Sequence, residues 1–261
     1  MSGASWDRVA RAMARAYHLD PVMAEHKRRV HLALLRRWCP LPRNARVLKT
    51  DLFEEALGGD EVLLSWPGDA GKARAYGIDI SGEVCARASE RLGGAGAGIA
   101  LADARRLPFR DASFDLVFSC STLDHFETRR EILSGLREAA RALKPGGSLL
   151  LTLDNPRALF YPLARFLERK GKIAFPLGET IPPPEIAAVL RESGLEVVAR
   201  RGIYHVPRVF FTGALRVMRA LRLGFLRGGL LRLLALLEKG QGRPGEFRTA
   251  WYTAVLARRP A

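Results

Sequence analysis

Asp79 and Asp103 each follow a short apolar run, Ala75-Tyr76-Gly77-Ile78 and Gly98-Ile99-Ala100-Leu101-Ala102. A carboxylate at the C-terminal edge of a buried parallel strand faces the crevice in which open α/β sheets bind ligands. There it accepts hydrogen bonds from ribose hydroxyls or from the exocyclic amine of an adenine. Two such carboxylates, one strand apart, point to an adenosine-containing ligand. A second group, Ser121-Thr122-Leu123-Asp124-His125-Phe126, follows another apolar run. His125 titrates near neutrality and has the chemistry to take a proton from a hydroxyl or amine, with Asp124 orienting it or pairing with the substrate. His205, beyond the last helix–strand pair of the sheet region, is a further candidate. His18, His26 and His31 lie on N-terminal helical stretches at no metal-ligand spacing, so no metal site is expected.

The elements that must position these residues are legible as alternating strands and helices. Arg46-Val47-Leu48 begins the first strand, residues 74–79 form the second, 98–102 the third and 114–119 the fourth. Helices are expected over 83–92 and 129–143, the latter stopping at the turn Lys144-Pro145-Gly146-Gly147. Ser148–Leu153 is continuously apolar, as a parallel strand buried on both faces should be. A helix at 185–193, a sixth strand at 195–199 and a last strand at 251–257 complete the pattern. Alternation of this kind implies an α/β fold with a doubly wound, mostly parallel sheet of the Rossmann-like type. No internal repeat is present.

With 261 residues, 48% of them hydrophobic and 26% charged, the chain has the composition of a globular protein with one substantial core. The 42 Lys and Arg against 27 Asp and Glu leave a formal charge of +15. That excess favours an anionic partner or reflects arginine-rich composition. Cys39, Cys85 and Cys120 are odd in number and widely spaced, and read as buried thiols in a reducing compartment. Arg8, Arg11 and Arg15 interrupt any leader-like apolar segment, and no charge-free run reaches the roughly 18 residues of a spanning helix. A cytoplasmic protein is expected, with peripheral contact to an anionic membrane left open.

Read together, four segments resemble the class I S-adenosylmethionine-dependent methyltransferases in their order and spacing. They are Gly77-Ile78-Asp79-Ile80-Ser81, Ala102-Asp103-Ala104 with Leu107-Pro108-Phe109, Phe114-Asp115-Leu116-Val117, and Leu143-Lys144-Pro145-Gly146-Gly147. The resemblance covers residues 45–200 and the final strand, and implies a seven-stranded sheet that binds S-adenosylmethionine. It implies that Asp79, with Ile80 beside it, holds the ribose, and that Asp103 and the backbone of Ala104 read the adenine. Ser119 would lie at the strand-four edge near the methionine moiety, and His125 either takes a proton or packs beneath the cofactor.

The chain departs from the family pattern after the first strand. An acidic residue and a glycine-rich loop are usual there, whereas Val47-Leu48-Lys49-Thr50-Asp51-Leu52-Phe53-Glu54-Glu55 holds no glycine. Compensation is expected from Asp51 or Glu55 accepting from the cofactor's ammonium and Thr50 donating to its carboxylate, with Lys49 turned away or paired with Asp51. Thr50-Asp51 also suits the N-terminus of a helix. Residues 57–73 read as an added loop.

The resulting organisation is a helical lid over 1–44, a cofactor-binding core over 45–200, a basic amphipathic helical insertion over 201–248 and a last core strand over 249–261. The stretch 200–248 carries eleven Lys/Arg and two Glu, with Arg216, Arg219 and Arg222 on one helical side and a break at Gly228-Gly229. It is read as a lid closing an apolar pocket or as an interfacial helix on an anionic bilayer. The expected activity is methyl transfer to a small-molecule or lipid-like acceptor. A methyltransferase-like binding protein without turnover is the alternative, as is a basic RNA-associated modifier, although no nucleic-acid-binding module is visible.

Overall fold

Within each core strand, successive residues point to opposite faces, and both faces are apolar. Val47, Leu116, Phe118, Leu150 and Leu256 enter one core cluster, while Leu48, Val117, Leu149, Leu151 and Val255 enter another. Such strands need helices on both sides. The computed structural model, which describes residues 2–15, 20–63, 65, 73–172, 177–206, 211, 213–215, 218 and 220–261, shows that arrangement.

Seven strands form one sheet: β1 (Arg46–Lys49), β2 (Arg74–Asp79), β3 (Gly98–Leu101), β4 (Phe114–Cys120), β5 (Leu143–Asp154), β6 (Glu196–Ile203) and β7 (Tyr252–Arg258). Their order is β3-β2-β1-β4-β5-β7-β6. The first five are parallel, and β7 inserts antiparallel between β5 and β6. From β1 the chain winds outward through β2 and β3, then returns to place β4 on the other side. The C-terminal ends of β1 and β4 therefore flank the switch-point crevice.

The N-terminal region is two helices, α1 (Gly3–Arg15) and α2 (Pro21–Trp38), with different surroundings. Asp20 caps α2 by accepting from the Val22 amide, and Pro21 occupies its first turn, where a missing N–H costs nothing. Helix α2 buries Met23, Leu32, Leu34 and Leu35 in the core. Helix α1 instead packs on α3 (Phe53–Leu57) and α4 (Gly82–Leu92), burying Ala10. On the opposite face lie α5 (Arg129–Ala142), closed by a Thr128–Glu131 capping box, and α7 (Ile186–Glu192), after α6 (Tyr161–Arg169).

Several boundaries differ from the sequence reading. Lys144–Gly147 is an irregularity within the extended run of β5, because Phe114 pairs with Leu143 but Leu116 already pairs with Ser148. Gly146 takes a φ of 74° there. Strand β6 runs to Ile203 because β7 supplies a partner along that length. Gly228-Gly229 lies in the first turn of α8 (Arg227–Leu237) rather than breaking a helix, and α9 (Glu246–Thr249) follows. Arg216, Arg219, His18 and much of the expected 57–73 loop, including Trp66-Pro67-Gly68-Asp69, lie outside the described residues.

Candidate active site

Strand β1 delivers Lys49 to the C-terminal edge of the sheet, where its side chain is 1% exposed. Its ammonium does not turn toward solvent. Nζ donates to the Asp51 carbonyl at 2.8 Å, to Glu54 Oε2 at 3.0 Å and to Glu55 Oε2 at 2.8 Å. Lys27 reaches the same cluster from α2, lying 2.6 Å from Glu54 Oε1 and 3.0 Å from Asp60 Oδ2. Two cations thus share a buried pocket with several carboxylates. Burial alone would raise Glu54, but Lys27 and Lys49 outweigh it and hold its carboxyl well below the usual range. Burial raises Glu55 against the opposing pull of Lys49. Glu55 also accepts from the amides of Val62 and Leu63 and does not line the cleft, so it is not available to an ammonium ligand as expected.

The segment after β1 is held without glycine by packing on β2. Leu52 is fully buried, and a Cβ at Gly77 would lie 2.4 Å from Leu52 Cδ2. The absent side chain at Gly77 is what lets Leu52 sit on the strand. The Leu52 amide then donates to Asp79 Oδ2 at 3.0 Å, while the Ser81 amide donates to Asp79 Oδ1 at 2.9 Å. Asp51 Oδ1 accepts from the Phe53 amide at the entry to α3, and Asp51 Oδ2 accepts from Thr122 at 3.2 Å. With the Thr122 proton so engaged, the 3.1 Å contact between Thr50 and Thr122 runs from Thr50 to Thr122. Burial and the charge of Glu54 push Asp51 well above the ordinary carboxylate range, and burial raises Asp79. A cationic group placed beside these two carboxylates would stabilise their charged forms.

Asp103 lies two residues past β3 and is clasped by Arg105. The Arg105 amide donates to Oδ1 at 2.8 Å and its guanidinium to Oδ2 at 2.6 Å, while Arg105 also pairs with Glu131. Against the effect of partial burial, these bonds lower the Asp103 carboxyl below its ordinary value.

After β4, Ser121 adopts a φ of 50°, an uncommon conformation for a residue with a side chain, and its hydroxyl is buried without a hydrogen-bond partner. A short turn over Leu123–His125 then presents two side chains. Asp124 Oδ2 accepts from the Asp154 amide at 2.7 Å, while the buried Oδ1 has no partner. Burial, followed by the neighbouring Asp154 charge, raises Asp124 well above the carboxylate range. His125 packs edge-on against Trp6 of α1, with ring centroids 4.9 Å apart. Helix α1 is docked by Asp7, which accepts from the Ser81 hydroxyl and the Glu83 amide.

These groups line one cleft of about 1110 Å³, part of it open to solvent. Thr50, Asp51, Asp79, Ile80, Asp103, Ala104, Asp124 and His125 all border it. Ser119 does not, because β4 continues through Cys120, and the strand-four edge of the cleft is Cys120, Ser121 and Thr122. His205 is also elsewhere. Its ring contacts Thr249 Oγ1 at 2.8 Å and the Gly202 carbonyl at 3.1 Å, so it ties β6 to α9. Sequence reasoning missed Lys27, Arg105, Asp154 and Tyr252 in the lining. Asp154 carried the signal that found Asp79, a carboxylate closing an apolar strand. Lys27 carried none.

Part of this core matches one family model. Residues 54–151 match the model described as a methyltransferase domain. Over that span, less than half of the chain, it is similar to methyltransferases. The 27-O-demethylrifamycin SV methyltransferase of Amycolatopsis mediterranei is 34% identical over 155 residues, which cover 56% of this chain and 54% of that protein. The chain thus spans about half the length of this curated relative. An S-adenosylmethionine-dependent methyltransferase from Mesorhizobium loti superposes with a TM-score of 0.58 at 18% identity, covering 87% of this chain and 96% of that one. The [4+2]-cyclase SpnF superposes with a TM-score of 0.59 at 20% identity, covering 88% of this chain and 80% of that one. At these identities the structural likenesses establish the fold alone.

The lining of this cleft fits S-adenosylmethionine. S-Adenosylmethionine carries a cationic sulfur and an ammonium, and Asp51, Glu54, Asp79, Asp103, Asp124 and Asp154 outnumber Lys27 and Arg105 around the lining. The unpartnered Ser121 hydroxyl and Asp124 Oδ1 are buried polar atoms of the kind a ligand satisfies.

Proposed function

We propose that this methyltransferase domain transfers a methyl group from S-adenosylmethionine to a small-molecule or lipid-like acceptor. The observation that carries the reading is the convergence of Asp51, Asp79, Asp103 and Asp124 on one cleft at the switch point of the sheet. Asp79 would hold the ribose hydroxyls with Ile80 against the nucleoside. Asp103 and the Ala104 backbone would read the adenine, and Thr50 and Asp51 would hold the amino-acid end. When bound, the cofactor supplies an electrophilic methyl carbon on a positively charged sulfur, and catalysis rests chiefly on positioning the acceptor against it.

Asp124 is the group best suited to take a proton from the acceptor. It lines the cleft, one oxygen is fixed by the Asp154 amide, and the other is unpartnered. Burial raises its proton affinity, so its ionised form is a stronger base than an ordinary carboxylate. His125 packs edge-on against Trp6 and helps hold the rim contributed by α1. The match to an enzyme named for a demethylrifamycin supports a small organic acceptor.

Calorimetry with S-adenosylmethionine and S-adenosylhomocysteine tests the reading. Both should bind, and Asp79→Ala and Asp103→Ala should each weaken binding by on the order of 1–3 kcal/mol through loss of a hydrogen-bond partner. Absence of binding at high micromolar ligand would sink the proposal. Binding without transfer to any phenol, alcohol or amine in a broad panel would favour a binding protein without turnover.

A further inference from the structure

Residues 206–237 contain six arginines and no acidic residue, among ten leucines and three phenylalanines. As a lid, this region would have to border the cleft. Among the described residues, none between 201 and 248 does. Helix α8 packs one face on α2, burying Leu234 with Leu230, Leu231 and Leu237 partly covered. Its other face stays uncovered: Leu233 and Leu236, three residues apart on one side, are 48% and 53% exposed. The preceding turn adds Leu221, Phe225 and Leu226, with Phe225 80% exposed. Arg222, Arg227 and Arg232 are exposed among them.

A groove of about 720 Å³ adjoins this surface between α2 and α8. Its apolar wall includes Val30, Leu34 and Ala235, and Arg29, Arg37 and Arg201 stand around it with Glu238, whose carboxylate is engaged by His26 and by the Tyr204 and His205 amides. Arg29 pairs with Glu25, and Arg201 lies 3.9 Å from Glu246. Apolar side chains set among cations, beside an arginine-lined groove, complement a surface that presents acyl chains beneath anionic headgroups. At 11 residues, α8 is far shorter than the roughly 20 residues needed to cross a bilayer. The matching geometry is a helix lying in the interfacial plane.

We propose that the face formed by residues 221–239, with the α2–α8 groove, docks this protein on an anionic phospholipid bilayer. Leu221, Phe225, Leu233 and Leu236 enter the headgroup–acyl boundary while Arg222, Arg227 and Arg232 meet the lipid phosphates. The proposal is independent of the reaction in the cleft, because it uses none of the cleft's residues.

Co-sedimentation of the full chain with vesicles tests it, comparing phosphatidylcholine alone with phosphatidylcholine–phosphatidylglycerol mixtures. Binding should be strong only to the anionic vesicles. The triple variant Phe225→Ser/Leu233→Ser/Leu236→Ser and the charge variant Arg222→Glu/Arg227→Glu/Arg232→Glu should each bind at least about tenfold more weakly. Both alter exposed side chains, so their melting temperatures should match the parent's. No binding to anionic vesicles at about 0.1 M salt would overturn the proposal. So would binding that the apolar variant leaves unchanged, since that marks adsorption by net charge alone. Preferential capture of a single-stranded RNA oligonucleotide over anionic vesicles would assign the face to nucleic acid instead.

Discussion

The end of β1 shows how a side chain can contradict a pattern and still serve it. A lysine stands where an acidic residue is usual, yet Lys49 brings Glu54 and Glu55 to its ammonium and lies 3.5 Å from Asp51 Oδ2, which borders the cleft. Negative charge is thus retained at the end of β1 but supplied from farther along the chain. Removing one partner of a buried ion cluster leaves the others uncompensated, at a cost of about 3–5 kcal/mol. Lys49→Met should therefore lower unfolding stability by about that amount in denaturant titrations. A loss below about 1 kcal/mol would mean that the carboxylates repack or take up protons. His31 offers a prediction in pH. It lies between the Lys27 carbonyl, 2.9 Å from Nδ1, and the Cys120 thiol, 3.3 Å from Nε2, an arrangement for the neutral ring protonated on Nδ1. Burial, and then the Lys27 charge, push its pKa from 6.5 down to about 4. A group depressed on folding contributes stability above its unfolded pKa and loses it as pH falls through the folded value. Between pH 6.5 and 4 the fold should lose up to about 3 kcal/mol through this residue, a loss that His31→Gln should remove. Parallel stability–pH curves for parent and variant would refute it.

At the scale of elements, the Asp124 side of the cleft depends on a strap after α6 rather than on a helix or strand. The Gly178 amide donates to the Asp124 carbonyl at 2.8 Å, the Glu179 amide to the Phe126 carbonyl at 2.7 Å, and the Thr180 hydroxyl to the Asp154 carbonyl at 2.8 Å. A Cβ at Gly178 would lie 2.4 Å from the Phe126 carbonyl oxygen and 2.5 Å from that of Asp124. Backbone cannot rotate aside, so Gly178→Ala must shift the turn that carries Asp124 and His125. It should destabilise by about 1–3 kcal/mol in thermal unfolding. Gly59→Ala, where a Cβ meets nothing within 4 Å, should be near neutral and serves as the control. Equal effects at the two glycines would show that the strap does not hold the turn.

For the whole molecule, the alternation of apolar runs and helices made the doubly wound sheet legible, and the expected span of β2 matches the observed one. Asp79 was legible because a polar residue closing a buried strand needs a reason to be there, and Asp103 and Asp124 because they lie in the loops that follow β3 and β4. The lid was not: a leucine-rich helix must bury one face, but its sequence does not name the partner. In the structure α8 chose α2, leaving its second apolar face outward and the cleft to be rimmed by α1. Ser119 and Cys120 differ by one position, and the extra residue of β4 placed Cys120, rather than Ser119, in the lining. By itself the sequence determined the sheet, its switch point and the carboxylates along its edge, because period and burial are local properties of the chain. Only the tertiary structure decided that Lys27, twenty-two residues before Lys49, would share its carboxylates. It likewise decided that Leu52 would rest on Gly77 and that the basic helix would face away from the site. Those outcomes depend on which surfaces meet, and contacts between distant segments are set by packing rather than by spacing.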